Sequence, residues 1–274
     1  MINEYFRPQT IEQATSFFAQ KMEEGYHPSY YNGGTEIITL GRLDQLNVDV
    51  AIDIKSLPSC RVHLLDEDYL VLGSALSLTD LAEANYFPLL TDISKEVADK
   101  TARNKITLGG NICGNIFYRE AVLPFLLTNS IFVLADKEEI RTNYLMDLFQ
   151  ETLPLKEGEL FVQAFIEKKF LTEPYVAIKV RQQWKTGYPL ITAAAMKTNH
   201  EIRVAFSGLC SFPFRSIQME NMLNDTSLSI SERSRAATKY IPGDILNDVE
   251  GSSEYRLFIF TNLLEKILIQ LEGN

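Results

Sequence analysis

The sequence predicts an α+β protein in two parts: a mixed α+β region over residues 1–170, and a sheet covered by helices over residues 171–274. Three observations lead there. Short β-branched and aromatic runs alternate with helical spacings along the first part. Two Gly-Gly segments interrupt that part. Three strand-like runs in close succession, then helical periodicity to the end, mark the second. The 274 residues, 46% hydrophobic and 23% charged, suffice for two ordinary cores.

In chain order, Thr10 reads as a helix N-cap, with Gln13 completing a capping box before Ile11, Ala14, Phe17 and Phe18 at helical spacing. A short strand over Ser29–Tyr31 runs into Asn32-Gly33-Gly34-Thr35. Glu36–Leu43 is expected as a helix, and Val48–Ile54 alternates like a strand. Tyr69–Leu72 is a further strand. Ser77 or Thr79 caps a helix through Asn85, and a helical segment spans Leu89–Lys100. Asn104–Asn115 is expected as a polar, Gly-rich loop. Strands follow at Ile131–Ala135 and Leu160–Phe165. A division of the first part into 1–55 and 56–170 fits this order. Beyond residue 170, Tyr175–Val180, Leu190–Met196 and Ile202–Ser207 read as strands, and Ser216–Leu223 and Ser229–Lys239 as helices. Ser252–Leu271 is strongly helical, with Tyr255, Phe258, Ile259, Leu263, Ile267 and Leu271 on one broad face. That face reads as core, part of it as a subunit interface.

The net charge of −10 repels a phosphate backbone, so nucleic acid is excluded as a partner. It leaves room for a single phosphate-bearing cofactor held by backbone N–H groups. Cys60, Cys113 and Cys210 are far apart and form no CxxC pair. Neither a disulfide framework nor a metal or iron–sulfur site built by this chain is expected, and a reduced, cytoplasmic setting follows. Cys113 reads as a small buried residue rather than a redox thiol. His27, His63 and His200 are scattered, without metal-ligand spacing. The start, MINEYFRPQT, lacks the apolar stretch of a signal peptide, and no run approaches the ~20 apolar residues of a membrane span.

The chemistry concentrates in Tyr31-Asn32-Gly33-Gly34-Thr35-Glu36-Ile37 and in Arg103-Asn104-Lys105-Ile106-Thr107-Leu108-Gly109-Gly110-Asn111. Paired glycines let a backbone approach a ligand, and successive N–H groups in such turns form an anion nest. Each segment alone reads as an ordinary turn more readily than as a binding loop. Neither is GxGxxG after a strand, and no GxxxxGK[ST] is present, so neither the nicotinamide-type dinucleotide fold nor a P-loop is expected. Two such segments about seventy residues apart suit a long ligand with two phosphates between polar ends.

Taken together, GGTE, then RNxxTLGGN, then a lysine and an arginine after a strand (Lys179, Arg181) resemble the FAD-binding subunit of the xanthine dehydrogenase and carbon monoxide dehydrogenase family of molybdenum hydroxylases. The resemblance covers nearly the whole chain, through Ala205-Phe206-Ser207-Gly208 and Pro213-Phe214-Arg215. It implies a two-part FAD-binding domain of the PCMH/VAO-like type, followed by a C-terminal α/β sandwich domain. It places Tyr31, Asn32, Gly33, Gly34, Thr35, Glu36 and Ile37 against the FAD diphosphate and ribityl. Thr107, Leu108, Gly109, Gly110 and Asn111 wrap the diphosphate. Glu120 stands where related chains carry a cofactor-binding aspartate, Leu160 lines the pocket, and Lys179 lies near the flavin. Tyr188 stands where many relatives have aspartate.

The resemblance also implies partners: a molybdopterin large subunit and a [2Fe–2S] small subunit, with NAD+ or another acceptor such as a quinone or oxygen. No catalytic acid or base is called for in this chain, because the cofactor does the redox work. Lys179 has two readings, a cation beside the reduced ring or an edge-strand lysine in water, and Arg181 likewise. Arg103 reads as a brace for its loop. Phe117, Tyr118 and Trp184 are candidates for ring stacking. A stand-alone flavin oxidoreductase and an assembly subunit that has lost FAD are the alternatives.

Overall fold

The computed structural model describes residues 2–116, 118–181 and 188–273. Trp184 and Phe117, two of the stacking candidates, lie outside them. The chain begins β1 (Glu4–Phe6), α1 (Ile11–Glu23), β2 (Pro28–Tyr31), α2 (Thr35–Arg42), β3 (Val50–Asp53). Thr10 caps α1 as expected, its side chain accepting from Gln13 N. The strands form a parallel sheet in the order β1-β3-β2. β3 lies in the middle, and all four of its residues are buried, as a central strand with both faces covered requires.

The second sheet is antiparallel, ordered β4-β5-β8-β6-β7. Its chain runs α3 (Pro58–Arg61), β4 (His63–Leu65), β5 (Tyr69–Gly73), α4 (Leu78–Ala84), α5 (Pro88–Lys95), α6 (Lys100–Arg103), α7 (Leu108–Cys113), α8 (Leu123–Thr128), β6 (Ile131–Ala135), β7 (Ile140–Tyr144), α9 (Leu145–Leu148) and β8 (Leu160–Glu167). Ser77 caps α4 in a full capping box with Asp80, a feature that contributes about 1 kcal/mol.

Two expectations are corrected here. The single helix read over Leu89–Lys100 ends at Lys95. Ala98 takes a left-handed φ of 47°, and α6 restarts behind an Asp99 cap. The loop read over Asn104–Asn115 contains α7, with Thr107 as its N-cap. Adjacent glycines cost about 1 kcal/mol each in a helix. Burial of Leu108 and Ile112 in the main core offsets that local preference.

The third sheet is antiparallel, β12-β11-β10-β9, from β9 (Tyr175–Arg181), β10 (Pro189–Thr198), β11 (Glu201–Ser207) and β12 (Phe214–Arg215). Nine of the ten residues of β10 are buried, because both of its faces are covered. Ala194 and Met196 join the core built on the second sheet. Ala193 and Ala195 pack with Phe260, Leu264 and Leu268. Those last three belong to α12 (Ser253–Glu272), which follows α10 (Ile217–Leu223) and α11 (Ile230–Ala237). The buried side of α12 carries Arg256, Phe260, Leu263, Leu264, Ile267, Leu268 and Leu271. Tyr255 and Phe258, read from sequence as part of one apolar face, are exposed at 47% and 61%. The helix is apolar around more of its circumference than one sheet can cover, so periodicity alone did not select the buried side.

Arg256 is fully buried. Its guanidinium donates to the Leu190, Gly208 and Gly251 carbonyl oxygens and pairs with Asp248 at 2.5 Å. A charge so placed is tolerable because its N–H groups meet three carbonyl oxygens and a carboxylate. It locks α12 to β10 and to the turn after β11.

Candidate functional site

The two glycine segments meet at one atom. The Ser74 carbonyl oxygen, just past β5, accepts from Asn32 Nδ2 at 3.0 Å and from Gly109 N at 2.8 Å. A Cβ on Gly33 would overlap the Lys105 carbonyl oxygen, so only glycine permits this approach of the two backbones. Farther along, Glu36 Oε1 accepts from Asn115 N at 2.9 Å, which ties α2 to the end of α7. Residues about seventy positions apart thus form one wall.

The segments differ in what they offer a ligand. Gly34 is the N-cap of α2 in the left-handed region, φ 70°, and no side chain caps this helix. The first-turn N–H groups of Thr35, Glu36 and Ile37 therefore lack intrahelical acceptors and carry the positive end of the helix dipole. In the second segment the N–H groups are taken up within the chain. Leu108 N donates to Leu76 O, Gly109 N to Ser74 O, Gly110 N to Thr107 Oγ1 and Asn111 N to Thr107 O. Open N–H groups thus lie at the first segment alone, while the second is a capped helix start with Gly110 exposed.

Beside this wall lies a cavity of 550 Å³ lined by Tyr31, Asn32, Gly33, Thr35, Ile38, Thr39, Ala75 and Thr107, with Arg42, Lys55, Arg61 and Lys105 around it. Four cations border one cavity in a chain of net charge −10, two of them facing carboxylates, Lys55 with Asp53 at 3.0 Å and Arg61 with Asp80 at 3.7 Å. Asn32 is 9% exposed, and its Oδ1 has no partner. A buried acceptor left open costs about 1–3 kcal/mol, and a ligand hydroxyl would satisfy it. Open amides, four cations and an acceptor fit a dinucleotide with a diphosphate centre and hydroxyls beside it.

Beyond α7 the same wall continues. Asn111 Oδ1 accepts from Ala121 N at 3.0 Å. The preceding residue, Glu120, is 2% exposed and pairs with Lys179 Nζ at 2.7 Å; Lys179 also donates to the Glu96 carbonyl oxygen at 2.7 Å. Lys179 is thus a buried, paired lysine rather than a solvated edge residue. Arg181 pairs with Glu96 at 2.8 Å. Tyr118, 8% exposed, stacks on Tyr188 with ring centroids 4.8 Å apart.

The remaining candidates fall as follows. Leu108 is turned into the main core, and Ile37 is half-buried on α2. Leu160 packs beside Ala75 and Val162 in the core beneath the parallel sheet and does not border the cavity. Arg103 braces its segment, donating to the Val97 and Ala98 carbonyl oxygens. Cys113, expected buried, is exposed; it and the other two cysteines are free. Sequence reasoning missed Arg42, Lys55, Arg61 and Ser74. The three cations carried no motif, and Ser74 acts through its backbone.

Residues 1–166 match the family model described as the FAD-binding domain in molybdopterin dehydrogenase. The chain belongs to this family. FAD is its cofactor. Similarity extends past the matched domain. The uncharacterized protein YgfM of Escherichia coli K12 is 26% identical over 264 residues, covering 94% of this chain and 92% of YgfM. The nicotinate dehydrogenase FAD-subunit of Eubacterium barkeri is 22% identical over 297 residues, covering 98% and 97%. Among solved structures, a chain of the Hydrogenophaga pseudoflava carbon monoxide dehydrogenase superposes with a TM-score of 0.89 at 19% identity, over 100% of this chain and 98% of that one. That likeness establishes the two-part fold.

Proposed function

We propose that this chain is the electron-transfer subunit of a molybdenum hydroxylase complex of the xanthine dehydrogenase type, acting in the cytoplasm. It takes electrons from [2Fe–2S] clusters on a small partner, fed by a molybdopterin large subunit that handles the organic substrate. It passes them to NAD+ or another acceptor. The observation that carries this reading is the joint wall of the two glycine segments beside a cationic, dinucleotide-sized cavity. The names of relatives such as the nicotinate dehydrogenase FAD-subunit support the assignment to a complex. Among the described residues no group of three or more His, Cys, Asp or Glu is arranged to hold a metal, and no helix is long and apolar enough to cross a membrane. Residues 1–170 would bind the cofactor, and 171–274 would close its far end through Lys179.

FAD, when bound, supplies exchange of single electrons with one partner and of electron pairs with another. The chain's own groups bind and orient it. The open amides of α2 and the cations of the cavity offset the diphosphate charge. Asn32 Oδ1 accepts from a cofactor hydroxyl. Gly110 keeps the second wall low enough for the phosphates to pass. The Glu120–Lys179 pair holds an ammonium at the far end of the wall, where it stabilises negative charge. Co-purification tests the reading: two partners, one of them iron–sulfur, should accompany the chain, and an organic donor should bleach flavin absorbance in that complex. Repeated recovery of a lone chain that is fully active with a small donor would replace this reading with a stand-alone oxidoreductase.

A further inference from the structure

The cation at the cavity with the most ordered surroundings is Lys55. Asp53, at the end of β3, is 4% exposed. Its carboxylate accepts from the Tyr5 hydroxyl and from Lys55 N at 2.9 Å, and it pairs with Lys55 Nζ at 3.0 Å. Burial alone would push the Asp53 carboxyl up, but the hydrogen bonds from Tyr5 and Lys55 outweigh it and hold it below the usual aspartate range. The same contact with Asp53 pushes the Tyr5 phenol up, so it stays a donor. The Lys55 ammonium sits 4.4 Å from the centroid of the Tyr31 ring, within cation–π range. The Tyr31 ring in turn lies where a side chain on Gly34 would be, at the open start of α2.

A surface lysine is normally a long, mobile side chain, and ordering it takes several contacts. Here a buried carboxylate on one side and an aromatic face on the other fix its position. Lys55 and Tyr31 border the cavity, while the buried Asp53 does not. An anion in the cavity therefore meets the ammonium first. Arg61, by contrast, is 3.7 Å from Asp80 and has no such frame.

We infer that Lys55 binds the phosphate portion of the cofactor, and that Asp53, held by Tyr5, is its positioning residue. The inference rests on the FAD reading given above. It predicts a dependence on the phosphate end alone, independent of the isoalloxazine ring.

The test is a titration of the full chain with FAD and, separately, with ADP, which has the phosphates and no flavin. Lys55→Met should weaken both about tenfold, the scale of one lost charge-assisted contact. Lys55→Arg should recover most of the loss. Asp53→Asn should weaken both by several-fold in the wild-type background and by nothing further in the Lys55→Met background, because a positioning residue acts only through the group it holds. Unchanged FAD and ADP binding by Lys55→Met would overturn the assignment of Lys55. An Asp53→Asn effect that persists without Lys55 would overturn the positioning role. Lys55 is 45% exposed at its side chain, and without its ammonium Asp53 keeps the Tyr5 hydroxyl and the residue 55 backbone N–H as donors, so Lys55→Met folds even where Asp53→Asn does not. A chain that binds ADP but not FAD, with ADP weakened by Lys55→Met, would overturn the flavin reading and leave this assignment in place.

Discussion

Replacing Gly110 with leucine puts a side chain into the open space beside the first turn of α7 while asking little of the fold. A Cβ at this position meets the Thr107 hydroxyl at 3.0 Å and no other group outside its own helix. Gly110 is exposed, whereas Gly109 is buried against Ser74. In a helix, leucine is favoured over glycine by up to about 1 kcal/mol. The weakened Thr107 cap costs about the same. The melting temperature should therefore stay within a few degrees of wild type. Cofactor binding should not. A side chain forced into space a ligand needs costs about 1–3 kcal/mol, which is a loss of roughly 5- to 150-fold in affinity. Gly33→Ala is the contrasting variant. Its methyl overlaps the Lys105 carbonyl oxygen, so it should lower both affinity and melting temperature. The assay is FAD titration beside thermal unfolding for both variants. Wild-type FAD affinity in folded Gly110→Leu would refute the path of the cofactor over the start of α7.

Three further outcomes are expected. Lys179→Met leaves the Glu120 carboxylate buried and unpaired, which should cost about 3–5 kcal/mol in denaturant unfolding; Glu120→Gln in the same chain should recover most of it, and a lack of recovery would mean that the pair is not coupled. Arg256→Met strips the acceptors at Leu190, Gly208 and Asp248 of their donor, and should destabilise by a similar amount, read as a lowered denaturant midpoint. Asp53 and Glu159 are held below their usual ranges: burial pushes each up, but hydrogen bonds from Tyr5 and Lys55, and from Arg141, outweigh it. Groups depressed in the folded state stabilise it above their unfolded values, about 3.9 and 4.3, and lose that contribution as pH falls through the lower folded values. Melting temperature should thus fall below about pH 4, and less steeply in Asp53→Asn.

The strands with clear alternation or apolar runs, such as Ile131–Ala135 and Tyr175–Arg181, were legible because their side chains face a core directly. So were the capped helices, since Thr10, Ser77, Ser216 and Ser229 announce themselves locally. The short strands Glu4–Phe6, His63–Leu65 and Ile140–Tyr144 were not. They sit at sheet edges or are half-solvated, and pairing with a neighbour rather than their own pattern makes them strands. Helix α7 was hidden because its two glycines argue for a loop, and only the burial of Leu108 and Ile112 reverses that. At the site, Asn32, Gly33 and Gly34 could be read as a loop that binds, but not which N–H groups stay open. That depends on Ser74 and Leu76 supplying acceptors to one segment and nothing supplying them to the other. The cations at the cavity come from four separate stretches of chain and meet only in the folded protein.

The measurement that bears most directly on the whole account is titration of the purified chain, alone and co-expressed with the proposed partner subunits, with FAD followed by flavin absorbance. One FAD per chain, weakened by Gly110→Leu without loss of fold, is the expected result; no FAD in either preparation would contradict it.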